Sequence, residues 1–175
     1  AFMSTVFVLL VIGLGAFTRL ADAGLGCPDW PGCYGHALWP DEQHEIEAAN
    51  MAYPDMPVDT EKTWPEMVHR YLATTLGVFV LAMAVMAIRL RKHGAPLKLP
   101  LMLLAFVVLQ GLFGMWTVTL KLWPQVVTTH LLGGFIVFNV LLVLSFRLAK
   151  WKPQLAINEQ QRGNLKRWPV IGLVV

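Results

Sequence analysis

Residues 67–88 read MVHRYLATTLGVFVLAMAVMAI, a run with no acid and with ionisable groups, His69, Arg70 and Tyr71, only near its start. About 20 helical residues span a bilayer core at 1.5 Å per residue, so a stretch of this length and apolarity predicts a membrane helix. Three more runs of the same kind flank it. Residues 2–17 are interrupted only by Ser4 and Thr5, and residues 99–118 carry Gln110 and Thr117 as polar members. Residues 126–146 carry Thr128, Thr129, His130, Asn139 and Ser145. The 175-residue chain is 56% hydrophobic and 14% charged, whereas about a quarter of an average soluble domain is charged. The pattern predicts an all-α integral membrane protein built as a four-helix transmembrane bundle. Its helices are expected over 1–20, 66–90, 99–119 and 124–148, with a long loop over 21–65, a linker over 149–168 and the start of a fifth helix over 169–175. The first run could be read as a signal peptide, but it lacks a basic leader and no soluble domain follows it. Both ends read as cut from a longer membrane protein.

Charge sorts by segment. Residues 22–66 contain ten of the eleven acidic residues and one base, Lys62. The link after the second run has Arg89, Arg91, Lys92 and Lys98 and no acid, and the segment after the fourth run is equally basic. Basic connections stay cytoplasmic, which predicts a cytoplasmic N-terminus, an outer 21–65 loop and an inner-membrane, multi-pass chain. The net charge of +3 then reflects topology and gives no reason to invoke nucleic acid. Trp30, Trp39, Trp64 and Trp123 fall on the outer side, where interfacial aromatics belong.

Ionisable residues inside membrane segments are costly and mark functional sites. WPEMVHR (64–70) opens the second helix and WPQVVTTH (123–130) the fourth, each with proline placed for a first helical turn. His69 and His130 lie at similar depth on two helices of one bundle, a spacing that suits two axial ligands of one centre. Ala73 and Gly77, and Gly133 and Gly134, share faces with them and leave room for a flat group. A bare zinc or copper ion would want more Cys, His or carboxylate ligands than Glu66 alone supplies. Close helix packing around a hydrogen-bonded histidine is the plainer account of the same residues. Glu66, one turn before His69, is either a first-turn carboxylate favoured by the helix dipole or an acid–base group at the site. Arg19 and Arg70 could fork onto carboxylates of a ligand, although Arg19 could instead pair with Asp22, and Arg70 could snorkel to headgroups. Gln110 is the one deep amide.

GAFTRLADAGLGCPDWPGCYGH (15–36), EMVHRYLATTLG (66–77), LQGLFGMWTVT (109–119) and TTHLLGG (128–134) resemble the haem A synthase family. The resemblance implies one half of an eight-helix protein made of two similar bundles. It implies haem O as substrate of this half, haem b as cofactor of the other, and oxidation of the C8 methyl of haem O to a formyl group. It makes Glu66 the catalytic residue and His69 and His130 the iron ligands. Haem A is then the product, with haem O synthase and cytochrome oxidase assembly factors as candidate partners beside the lipid bilayer.

Cys27 and Cys33, the only cysteines, could be a redox pair, half of a metal site with His36, or a staple. An outer, oxidising compartment favours a disulfide, and the resemblance makes the loop a lid over a haem slot. A thiol oxidase would need a second cysteine pair, which this chain does not carry. A bis-histidine electron-transfer cytochrome is the other reading.

Overall fold

The computed structural model describes residues 1–149, and the expected linker and fifth helix lie beyond residue 149, outside that range. Four long helices form where the apolar runs predict them: α1 (Phe2–Leu20), α3 (Thr60–Arg89), α4 (Lys98–Thr119) and α5 (Pro124–Leu148). All four are long and apolar enough to cross a membrane, and no strand occurs among the described residues. A helix satisfies its own backbone, which hydrocarbon demands. Several polar side chains inside the spans follow the same rule by bonding back one turn. Thr18 donates to Leu14 O (2.7 Å), Thr74 to Arg70 O (2.9 Å), Thr129 to Gln125 O (2.7 Å) and Asn139 to Phe135 O (2.8 Å).

Each helix touches two others, α1 with α3 and α5, and α4 with α3 and α5, so α3 and α5 face each other across a diagonal. Val8 and Val11 of α1, Leu76 and Val80 of α3, Leu103 of α4 and Val137, Leu141 and Leu144 of α5 meet in one core. Beyond them, Leu10, Val78, Phe79, Met102, Val108 and Leu132 stay exposed, an apolar belt that a water-soluble bundle would cover with polar residues. Thr5 and Ser145 share a buried hydroxyl hydrogen bond of 2.9 Å near the end remote from the cysteines.

The α1–α3 connection folds into a cap. A short helix, α2 (Gln43–Ala52), is capped reciprocally by Glu42 and Glu45. Cys27 and Cys33 are disulfide-bonded and fully buried, and they cluster with Tyr34, Ala49 and Met67. Asp29 accepts from Tyr34 N (2.6 Å) and Gly35 N (2.8 Å), which pins the turn that returns Cys33 toward Cys27. Tyr34 and Gly35 have φ of 55° and 79° there. The Tyr34 hydroxyl donates to Met56 O at 3.0 Å. Burial, and then the Asp29 carboxylate, push its pKa above the ordinary range, so it remains a donor. Asn50 Oδ1 accepts from Val58 N at 2.7 Å and fixes the return to α3.

Two features differ from the sequence expectation. α3 begins at Thr60, so Pro65 lies inside it rather than in its first turn. Asp59 sets the earlier start, accepting from Glu61 N at 3.1 Å. The bond that Pro65 cannot donate belongs to the carbonyl of Glu61, an exposed residue where solvent can take its place. α2 was not expected at all: ten mostly polar residues give no apolar run, and only the Glu42–Glu45 spacing hints at it. At the same end, Lys121 and Leu122 turn α4 into α5 with φ of 49° and 57°. The left-handed region costs such residues about 1–2 kcal/mol each. Leu122 offsets part of this by packing on Gly24 of the cap.

The six-residue separation of the bonded cysteines corresponds to about 2 kcal/mol of loop-closure entropy. Cys27→Ser/Cys33→Ser should therefore open the cap about 30-fold more often. Limited proteolysis in detergent should cut faster within residues 21–59 and leave the four long helices intact, and an unchanged rate would contradict the staple.

Candidate haem site

His69 and His130 project from α3 and α5, the diagonal pair of the bundle. The Nδ1 atom of each is buried without a hydrogen-bond partner. Buried polar nitrogens are normally satisfied, so two unpartnered Nδ1 atoms inside one bundle call for a ligand.

Glycines make the space beside each ring. A Cβ on Gly15 of α1 would stand 2.8 Å from His69 Cε1, and one on Gly114 of α4 would stand 3.4 Å from His130 Cε1. The His69 ring also reaches the backbone of Val11, and the His130 ring that of Gln110. Each histidine thus lies in a notch formed by a glycine and the backbone four residues before it. The small residues singled out from sequence serve other contacts. Gly133 admits the Gln110 amide, where any side chain would collide, while Gly134 meets Ile12 and Gly77 meets Val107. Sequence reading overlooked Gly15 because its partner lies on another helix, and the GLGAF run (13–17) was the only signal.

Glu66 is 4% exposed. Its Oε2 accepts from Cys27 N at 3.1 Å and its Oε1 from Arg70 Nη2 at 2.5 Å. Arg70 Nη1 is shared among the carbonyls of Asp29 (3.0 Å), Pro31 (3.2 Å) and Gly32 (2.6 Å). The guanidinium expected to face a ligand carboxylate thus has both terminal nitrogens engaged by Glu66 and the cysteine loop. Arg19 is exposed at the end of α1, and Asp22, its expected partner, pairs with Lys62 at 3.4 Å instead. His36 lies 3.7 Å from Glu45, in the cap. A wide cleft of about 680 Å³ between the cap and the start of α3 is lined by Gly26, Tyr34, Asp59 and Glu61 and includes neither His69 nor His130.

Among the described residues no group of three His, Cys, Asp or Glu side chains could hold a bare metal ion. Two imidazoles, each beside a glycine and each with an unpartnered Nδ1, are a donor set compatible with an iron porphyrin, whose ring supplies the other four ligands.

The sequence pattern of a family described as cytochrome oxidase assembly protein (COX15-CtaA) matches residues 1–175. A heme A synthase of Shewanella oneidensis is 52% identical over 145 residues, covering 83% of this chain and 43% of that protein. A heme A synthase of Chelativorans sp. is 30% identical over 192 residues, covering 98% of this chain and 51% of its own length. The chain spans about half the length, or less, of these relatives.

Gly15→Val should push the His69 ring out of its notch and weaken haem retention in this half roughly tenfold. Gly13→Ala is the control, since a Cβ at Gly13 meets nothing within 4 Å. Haem-to-protein ratios after loading separate the two, and equal retention would mean that the notch does not set the ring.

Proposed function

This chain belongs to the cytochrome oxidase assembly protein family, and we propose that it is the substrate-binding half of a haem A synthase. In this reading haem O lies between α3 and α5 with His69 and His130 as axial ligands, and its C8 methyl is oxidised to a formyl group. The observation that carries it is the pair of buried, unpartnered Nδ1 atoms on diagonal helices, with a fully engaged carboxylate one turn nearer the cap. Haem b, the cofactor, belongs to a second bundle like this one, and the full protein has eight membrane helices. The chain sits in the inner membrane with its N-terminus in the cytoplasm and the cap in the periplasm, as its charge sorting supports.

Turning a methyl into a formyl group removes four electrons and four protons overall when water supplies the oxygen. The four electrons would leave through the haem b cofactor of the second bundle to an external acceptor, and this chain supplies position and proton handling. His69 and His130 hold the plane, and the apolar core of the bundle keeps bulk water from it. Glu66 is the group placed to take or return protons at the cap end. Arg19, exposed at the end of α1, is the freer of the two bases and would be the one available to carboxylates of the substrate. Haem O synthase and oxidase assembly factors are the partners this function implies.

Glu66→Gln keeps the shape of the side chain and removes its charge. In the full-length protein it should retain haem O and lower haem A formation at least 100-fold, read by chromatography of extracted pigments. Haem A at the normal rate would sink the acid–base assignment, and bound haem that is never converted by the unmodified protein would favour an electron-transfer cytochrome.

A further inference from the structure

Arg70 follows Glu66 by four residues on α3, so their side chains share one helix face. Its Nη2 reaches one carboxylate oxygen, and its Nη1 is spread over three carbonyls of the loop closed by Cys27 and Cys33. The second carboxylate oxygen accepts from the backbone of Cys27 itself. The start of the loop thus holds Glu66 directly, and its later residues hold it through Arg70. A guanidinium is a rigid plane of five donors and can bridge a carboxylate and a row of carbonyls together, which an ammonium cannot.

We propose that Arg70 is a positioning residue for Glu66, carrying the placement of the disulfide-closed loop to the carboxylate and fixing it relative to His69. The inference rests on the reading of Glu66 as the acid–base group of this half. It assigns the cap a part in the chemistry: the loop is the seat of the group that moves protons. It also separates Arg70 from the role of anchoring a substrate carboxylate. An anchor, once removed, weakens binding, whereas a positioning residue, once removed, slows turnover and leaves binding alone.

The test measures haem O conversion and haem O retention by the full-length protein carrying Arg70→Ala, Arg70→Lys or Glu66→Gln. Arg70→Ala should lower kcat roughly 10- to 100-fold, the cost of a misplaced catalytic group, with KM and retention within about twofold of the unmodified protein. Arg70→Lys should recover part of that loss, because it restores charge beside Glu66 without spanning the three carbonyls. It also covers an Arg70→Ala protein that does not fold, since Arg70→Lys must then show a kcat-only loss of about tenfold for the proposal to stand. An inactive Glu66→Gln beside a fully active Arg70→Ala overturns the positioning role alone. A raised KM or lost haem in the Arg70 variants overturns it in favour of substrate anchoring. Normal turnover by Glu66→Gln removes the parent reading and this one with it.

Discussion

The outer end of this protein depends on one buried ion pair, Arg70 with Glu66, whose side chains are 13% and 6% exposed. Removing one partner from a pair this buried leaves an uncompensated charge and costs about 3–5 kcal/mol, so the surroundings must satisfy both. That requirement accounts for the irregular chain between Cys27 and Cys33. Pro28 and Pro31 lack N–H groups and keep the segment out of helix and sheet. The carbonyls of Asp29, Pro31 and Gly32 remain free to face the guanidinium. The disulfide and the Asp29 side chain then hold that unpaired backbone in place.

Below the ion pair the constraint changes from charge to shape. The ring of contacts around the bundle leaves α3 and α5 on a diagonal, and glycines on α1 and α4 let the two imidazoles approach those helices closely. Gly26 does the same for the cap, because any side chain there would collide with the backbone of Lys62. The close approaches at Gly15 and Gly114 set the two histidines against α1 and α4, and the one at Gly26 sets the cap against the start of α3.

The membrane helices were legible because hydrocarbon imposes one rule on every span, and runs such as 67–88 obey it without help from other segments. His69, His130 and Glu66 stood out for the converse reason, as polar groups where polarity is expensive. What stayed hidden depends on chain segments distant in sequence. Arg70 looked like a base for a ligand because its carbonyl partners lie about forty residues earlier. Gly15 looked like ordinary packing because His69 is on another helix. The start of α3 was misplaced because Pro65 is a strong first-turn signal and Asp59, six residues earlier, a weaker cap signal.

His69 and His130 are proposed to grip one haem plane together. Near-infrared magnetic circular dichroism of the full-length protein loaded with haem O reads axial ligation directly. The expected result is a bis-histidine, low-spin signature for haem O that is lost when either His69 or His130 is replaced by Ala. The same signature in both variants would contradict it.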